Sequence, residues 1–232
     1  SIATEAKMLA LQSQMNPHFL YNTLASISAL AEEGENEKVV QSCSDLSLLL
    51  RYISSNSSNR VLMWQEMTHT GSYMQLIKNK YEERLEFTMQ IDELLCGIPV
   101  PKLVIQPLVE NCVKYALEVR PPWRITVKGY VESDGWRICV RDNGPGFSAA
   151  YLTLFTEKRA LIKPGEPLPR LSVGGMGLVN LYIRMLLLYG ETLVFTLENL
   201  PEGGACVTIG GPLSEKVGDE KNENRNDKDR NC

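Results

Sequence analysis

The chain has 232 residues, a formal net charge of −4 at pH 7 and a sequence pI of about 5.4. This length suits one large domain or two small ones, and a hydrophobic fraction of 44% is enough to fill a core. The acidic balance gives no general support to a nucleic-acid surface, so nucleic-acid binding is not expected.

The first predicted helix extends from near the start of the chain to about residue 31 or 32, and Gly34 lies in the turn that follows. Its apolar stripe changes sides at Pro17. Proline has no N–H to donate to the Ser13 carbonyl, so we predict a kink just before His18. Relative to the apolar stripe that follows Pro17, His18 points outward, unlike a buried core histidine. The apolar residues before and after the change are, respectively, Met8, Leu11 and Met15, and Leu20, Leu24, Ile27 and Ala31.

The residues around this histidine form a run of rare composition, Asn16-Pro17-His18-Phe19-Leu20-Tyr21-Asn22. The run resembles the phosphoacceptor motif N-P-H-F-[LI]-[FY]-N of sensor histidine kinases of the LytS/YesM-like branch. That resemblance implies that His18 accepts a phosphoryl group. The alternative interpretation is a solvated surface histidine beside a helix kink.

A second helix is predicted from apolar residues spaced alternately by four and three. Two such helices joined by a short loop form an antiparallel hairpin. One hairpin covers its own apolar stripes poorly, so we expect it to pair with a second copy in a four-helix bundle, which makes the protein a homodimer. The residues of this heptad-like seam are Val39, Cys43, Leu46, Leu50 and Ile53.

A third helix is predicted after the polar loop 54–60, and it should end near Arg84. His69 lies off its apolar stripe and is interpreted as a solvated helix residue. From Leu85 the period changes to two, which predicts a strand over 85–91 and a domain boundary at this point. We therefore expect a helical dimerisation and phosphoacceptor region at 1–84, a second domain at 85–213 and a disordered charged tail at 214–232.

The second domain should contain four further strands and two long helices. A helix over about 103–117 follows the rigid Ile98-Pro99-Val100-Pro101 segment, and strands at 125–132 and 136–141 meet at a tight Asp-Gly turn. Residues 148–174 have weak periodicity and are predicted to be a long loop that serves as a lid. A helix from Gly174 to Tyr189 and strands at 192–198 and 205–210 complete an α/β sandwich with its helices on one face. The predicted fold class is therefore α+β, a helical hairpin followed by this sandwich.

Three groups of residues could hold a nucleotide. The helix after Pro101 places Glu110, Asn111 and Lys114 opposite its apolar side, and these groups suit a magnesium triphosphate. Asp142, at a strand end before two glycines, can accept a hydrogen bond from an adenine amino group. The segment Gly175-Met176-Gly177 at a helix start offers N–H groups to phosphates.

Together these groups resemble the ATP-binding domain shared by histidine kinases, gyrase, Hsp90 and MutL. Asn111-Cys112-Val113-Lys114-Tyr115 matches its N box, Asp142-Asn143-Gly144-Pro145-Gly146 its first glycine box, and Gly175-Met176-Gly177-Leu178-Val179-Asn180 its second. The preceding Gln106-Pro107-Leu108-Val109-Glu110 matches the lead typical of the same kinase branch as the histidine motif. The resemblance implies that Asn111 holds Mg²⁺, that Lys114 and Tyr115 contact phosphate or ribose, and that Asp142 contacts adenine.

The chain departs from related patterns at three places. The ATPases of this superfamily carry a catalytic glutamate where this chain has Pro107, which cannot activate water. Many other histidine kinases have an acid directly after the phosphoacceptor, where this chain has Phe19. The base that takes the His18 proton is therefore open between Glu110 and Asn22. The aromatic lid motif of other kinases is represented at most by Phe155.

The resulting hypothesis is an ATP-dependent protein-histidine kinase, in which neutral His18 attacks the γ-phosphoryl group roughly in line. Its partners would be a second copy of the chain and a response regulator whose aspartate receives the phosphoryl group. One alternative is an ATPase of the gyrase or Hsp90 type, which Pro107 disfavours. The other is a non-enzymatic dimerisation scaffold with a vestigial pocket, which the intact nucleotide residues disfavour.

Location in the cell is suggested by the start of the chain. The sequence shows no signal-peptide pattern and no apolar run of the roughly 18 residues needed to cross a bilayer. Its first residue falls within a helical pattern, so we expect the cytoplasmic part of a bacterial membrane sensor whose sensing part lies upstream. The six cysteines form no C-x-x-C pair, and most lie in apolar runs, which favours small core residues in a reducing compartment.

Overall fold

The computed structural model describes residues 17–54, 60–162 and 177–213, without the side chains of Pro17 and His18. Three helices form its N-terminal part: α1 (Pro17–Glu32), α2 (Asn36–Ser54) and α3 (Met63–Tyr81). The turn between α1 and α2 contains Gly34 at a φ of +78°, a conformation that glycine adopts without steric cost. The predicted helical hairpin is thus confirmed, while the kink before His18 and the tail at 214–232 lie outside the described residues.

The face of α2 that packs within one chain differs from the predicted seam. Leu46 is the one seam residue that is buried, whereas Cys43 and Leu50 are exposed. The reason is that α3 packs against a neighbouring stripe of α2, where Asn79 of α3 donates a hydrogen bond of 3.0 Å to the Ser42 hydroxyl. The buried residues of this stripe are Ser42, Asp45, Leu46 and Leu49.

Two very short strands connect the helical part to the rest of the chain. Strand β1 (Arg60–Leu62) pairs antiparallel with β3 (Pro99–Pro101), so that Val61 lies opposite Val100. Sequence analysis missed both strands, because each has three residues and the two are far apart in the chain. Their pairing holds the start of α3 beside the segment that leads into the helix Gln106–Ala116, which carries the N box and is called the N-box helix below.

A five-stranded mixed sheet forms the centre of the second part. Its order is β2-β4-β5-β7-β6, with β2 parallel to β4 and the remaining pairs antiparallel. All five predicted strands are confirmed with shifts of one or two residues at their ends. Their bounds are β2 (Leu85–Ile91), β4 (Trp123–Glu132), β5 (Gly135–Asp142), β6 (Val194–Asn199) and β7 (Ala205–Gly211).

Helices α4 (Gln106–Ala116), α5 (Ala149–Ala160) and α6 (Gly177–Tyr189) complete this part. Helix α4 lies against β4, β5 and α6, and its buried residues join those of the strands in one core. The predicted α+β fold class is confirmed. Within the described ranges, no helix combines the length and apolar character that crossing a bilayer requires.

Helix α5 corrects the prediction of a loop over 148–174. Ser148 caps the helix by accepting a hydrogen bond of 3.1 Å from the Tyr151 N–H. Phe155 is buried against the rings of Tyr182 and Phe195, so this weakly periodic segment is held as a helix by one aromatic contact cluster. Residues 163–174 of the predicted lid lie outside the described part of the chain.

Candidate functional site

Helix α4 carries Glu110, Asn111 and Lys114 on the side opposite its buried residues, as the sequence pattern predicted. Leu108, Cys112 and Ala116 are buried against the core. On the other side Glu110 and Asn111 are half-buried and Lys114 is exposed. Among the described residues no hydrogen bond to the Asn111 side chain occurs, so its amide oxygen is available to a hard cation.

Glu110 is held in place by a residue one helical turn earlier. The Gln106 amide nitrogen donates a hydrogen bond of 2.6 Å to Glu110 Oε1. Burial raises the pKa of the Glu110 carboxyl, and the bond from Gln106 works in the opposite direction. The result is an oriented carboxylate whose proton affinity is higher than that of an exposed glutamate.

Asp142 lies buried at the end of β5, where its carboxylate ties two segments together. Its Oδ1 accepts hydrogen bonds from the N–H groups of Gly144 at 2.8 Å and Ala205 at 3.3 Å. Burial raises the pKa of Asp142, whereas these donors and the Cys112 thiol favour its ionised form. The side chain is therefore fixed before any ligand binds.

The two glycines of the first glycine box allow close backbone contacts. A Cβ on Gly144 would lie 3.0 Å from Asp142 Oδ1 and 3.1 Å from the Tyr115 carbonyl oxygen. Gly146 has a φ of +80°, and a Cβ there would lie 2.7 Å from Asn199 Oδ1. The loop between Asp142 and Gly146 is thus pressed against the end of the N-box helix, which brings the first two predicted motifs into contact.

Three residues support this loop in ways that sequence analysis did not predict. Asn143 accepts a hydrogen bond from the Arg124 N–H at 2.7 Å, and Asn199 accepts one from the Phe147 N–H at 2.6 Å. Gly204 has a φ of +92°, and a Cβ there would collide with the Asp142 carbonyl oxygen at 2.0 Å. The Gly203-Gly204 pair in a turn was an available signal, but no local pattern marks Asn199.

The second glycine box is described in part. Gly177 is exposed at the first residue of α6, Leu178 is buried beneath it and Asn180 is half-buried. Gly175 lies outside the described residues. The phosphate-binding role of this segment remains a prediction.

One tyrosine of α3 lies close to the start of α1 and within electrostatic range of Glu110 on α4. His18 is the second residue of α1, and its side chain lies outside the described part. The ring of the next residue, Phe19, lies 5.1 Å from the ring of Tyr73 on α3. Burial raises the pKa of the Tyr73 phenol, and the nearby charge of Glu110 adds to this. Tyr73 is therefore close to both the phosphoacceptor motif and Glu110.

His69 corrects the prediction of a solvated helix residue. It is 4% exposed, and its ring stacks on Tyr52 of α2 at a centroid distance of 4.1 Å. Burial lowers the pKa of His69 to about 4, with an opposing contribution from Gln106. The helix period placed it off the apolar stripe of α3, but α2 covers that side of the helix in the tertiary structure.

A buried carboxylate joins the helical part to the start of α4. Glu66 is fully buried and accepts hydrogen bonds from the Tyr52 hydroxyl and from three consecutive backbone N–H groups. From α6, the Arg184 guanidinium donates to the carbonyl oxygens of Lys102 at 2.7 Å and Leu103 at 2.6 Å. We call Tyr52, Glu66, Arg184 and the segment 102–105 the Glu66 junction. Sequence analysis did not find it, because its members come from four distant segments.

Comparison with known protein families identifies the class of protein to which this chain belongs. A model described as histidine kinase-, DNA gyrase B-, and HSP90-like ATPase matches residues 99–215, and a model described as histidine kinase matches residues 6–85. The chain therefore belongs to the histidine kinases whose nucleotide domain is of the gyrase B- and HSP90-like ATPase type. This confirms the resemblance inferred from the sequence motifs and implies the use of ATP.

Particular relatives lie in the expected branch. The chain is 33% identical over 217 residues to the sensor histidine kinase YesM of Bacillus subtilis, covering 93% of this chain and 35% of that protein. It is 30% identical over 216 residues to the sensor protein LytS of Enterococcus faecalis, covering 91% of this chain and 35% of that protein. The chain thus spans about a third of the length of these relatives. The catalytic domain of the histidine kinase ThkA aligns with a TM-score of 0.47 at 15% identity, over 66% of this chain and 94% of that chain.

Proposed function

We propose that this chain is the kinase part of a two-component sensor that transfers the γ-phosphoryl group of ATP to His18 and then to an aspartate of a response regulator. The observation that carries the proposal is the contact of Phe19, next to His18, with Tyr73, which lies close to Glu110 of the N-box helix. Tyr73 thus contacts the residue beside His18 and lies within electrostatic range of Glu110. Phosphoryl transfer depends mainly on positioning and charge stabilisation, and this arrangement provides positioning.

The nucleotide is assigned to the exposed side of α4 and the adjoining loop. Asp142, held by its two N–H donors, accepts a hydrogen bond from the adenine amino group. Lys114 and Tyr115 contact phosphate or ribose, and the start of α6 with Gly175 and Gly177 offers N–H groups to the phosphates. The Asn111 amide oxygen suits Mg²⁺, which when bound would offset charge on the phosphoryl group.

Glu110 is assigned as the base that accepts the His18 proton. Its carboxylate is half-buried and oriented by Gln106, and burial raises its pKa, so it is a better proton acceptor than an exposed carboxylate. Asn22, the other candidate, has an amide side chain that does not accept a proton near neutral pH. Pro107, in the first turn of α4, occupies the position of the ATPase glutamate, which disfavours water as the acceptor.

We assign the uncovered apolar side of the helical part as the surface that binds a second copy of the chain. Tyr21, Leu24 and Val40 are 73%, 53% and 69% exposed, and pairing in a four-helix bundle would bury such residues. The response regulator would dock near His18. We further propose that 1–84 acts as the dimerisation and phosphoacceptor region, 85–213 as the ATP-binding domain and 214–232 as a tail, in the cytoplasmic part of a membrane sensor.

Incubation with γ-labelled ATP and Mg²⁺ tests the proposal. We expect an acid-labile, base-stable label on the wild-type protein and no label on His18→Gln. His69→Gln, which removes the other histidine, should retain the label per folded molecule. Steady phosphate release without protein label would identify an ATPase instead, and neither signal would identify a scaffold.

A further inference from the structure

Two cysteines lie side by side across the central sheet. In the antiparallel pairing of β5 and β7, Cys139 lies opposite Thr208, and Arg141 lies opposite Cys206. Since alternate residues of a strand share a face, both cysteine side chains point to the same side of the sheet. Their Sγ atoms are 2.8 Å apart, and neither cysteine is part of a disulfide.

This pair lies on the side of the sheet opposite the helices. Val140 and Val207, the next residues along the two strands, are buried in the core beneath the helices. On β4, Lys128 pairs with Cys139, shares its face and is exposed. The thiols are themselves nearly covered, but they lie under exposed side chains and not within the core.

The surroundings of the two sulfurs make them unequal. The contact with the Cys206 sulfur lowers the pKa of Cys139 to about 5, and Arg141 contributes through a hydrogen bond of 3.4 Å from its Nε to the Cys139 sulfur. The pKa of Cys206 is raised for the same reason. Cys139, which accepts the hydrogen bond from Arg141, is therefore the more acidic of the two cysteines and has a second sulfur in contact, which is the arrangement of an attacking and a resolving cysteine.

We propose that Cys139 and Cys206 form a thiol-oxidation site that reacts with hydrogen peroxide and closes to a disulfide between β5 and β7. The Cys139 thiolate attacks one peroxide oxygen, so that an S–O bond forms, the O–O bond breaks and hydroxide leaves and is protonated to water. The Cys206 sulfur then attacks the resulting sulfenic acid. An S–S bond forms, the S–O bond breaks, and the departing hydroxide takes the Cys206 proton. Two thiols are oxidised by two electrons, and one peroxide is reduced to two waters.

The disulfide would change the position of the neighbouring Asp142 carboxylate. Bond formation draws the two sulfurs about 0.8 Å closer, to the length of a disulfide. Cys206 follows Ala205, whose N–H donates to Asp142 Oδ1, and Cys139 precedes Asp142 on β5. Resting on the proposed role of Asp142 with adenine, we infer that oxidation displaces this carboxylate and weakens nucleotide binding by roughly tenfold, as for the loss of one charge-assisted hydrogen bond.

Peptide mapping of the reduced chain after peroxide treatment tests the site. Under non-reducing conditions we expect the tryptic peptide 138–141 to be joined to the peptide 185–216. The Cys43→Ser variant, which lacks an exposed cysteine on α2, should still form the Cys139–Cys206 disulfide. The Cys139→Ser variant should not form it. Cys206→Ser should leave Cys139 as a sulfenic acid that reacts with dimedone. A wild-type chain without the joined peptides, or a Cys206→Ser chain without dimedone label, would overturn the site.

Binding of an ATP analogue to the oxidised and re-reduced protein tests the coupling. A roughly tenfold weaker and reversible affinity supports it. Unchanged affinity of a chain that contains the joined peptides would overturn the coupling. If reduced protein bound no nucleotide, the proposed function would fail instead, while the peptide map would still decide the oxidation site.

Discussion

The Glu66 carboxylate accepts a hydrogen bond of 2.7 Å from the Val104 N–H, and through it α3 holds the start of the N-box helix. The flanking N–H groups of Leu103 and Ile105 donate to the same carboxylate. A buried carboxylate is stable when several donors surround it, and here the donors come from the backbone just before α4. The helical part and the nucleotide site are therefore mechanically connected at this point.

Glu66→Gln should destabilise the protein and loosen α4. The amide replaces one carboxylate oxygen with a donor that faces backbone N–H groups, so we expect a loss of about 1.5–3 kcal/mol in the free energy of unfolding. Urea denaturation measures this loss, and weaker binding of an ATP analogue should accompany it. Glu35→Gln, which breaks the exposed pair with Lys38, should cost under about 1 kcal/mol. Equal effects of the two variants would contradict the role of the Glu66 junction.

Asp142→Asn should weaken ATP binding while the protein stays folded. The asparagine oxygen can still accept from Gly144 and Ala205, but its amide hydrogens would oppose the adenine amino group. We expect affinity to fall by about 10- to 100-fold, measured by calorimetry. The control is Asp134→Asn in the turn before β5, where the carboxylate binds Arg137 and is 67% exposed. A wild-type affinity for Asp142→Asn would exclude the proposed adenine contact.

Glu110→Gln should slow labelling of His18 without weakening nucleotide binding. Loss of a general base costs about 10²- to 10⁴-fold in rate. Because burial raises the pKa of Glu110, the wild-type rate should fall as the pH drops through that raised value, and the variant should lack this acidic limb. Glu118→Gln, at an exposed glutamate just beyond α4, serves as the control. Labelling of Glu110→Gln at the wild-type rate would assign the proton to another acceptor.

His69 should make stability depend on pH. Its pKa of about 4 in the folded state lies below the ordinary value of 6.5, so the unfolded chain binds more protons between these limits. The contribution is therefore complete above pH 6.5 and is lost as the pH falls toward 4, with a slope of up to about 1.4 kcal/mol per pH unit. His69→Phe, which retains the stacking on Tyr52, should lack this slope, so the difference in unfolding free energy between the two proteins should change with pH between about 4 and 6.5. Parallel curves for the two proteins would show that His69 is not buried in its neutral form.

The sequence by itself determined the order of the major elements, and it placed the three motifs that we propose to hold the nucleotide. The spacing of hydrophobic residues and the presence of turn residues are local properties of a sequence. The change from a helical period to a period of two at Leu85 marks β2, and the Asp-Gly turn marks the β4–β5 hairpin. A short motif such as that at 16–22 consists of consecutive residues, so it too can be recognised in the sequence alone.

Only the tertiary structure decided how distant segments support one another. His69 looked solvated because helix period describes a single helix, whereas its burial depends on Tyr52 of another. The same holds for α5, which depends on the aromatic contacts of Phe155, and for Glu66, whose backbone donors lie 37 to 39 residues away. Cys139 and Cys206 are 67 residues apart and meet through strand register, which is a property of the folded sheet.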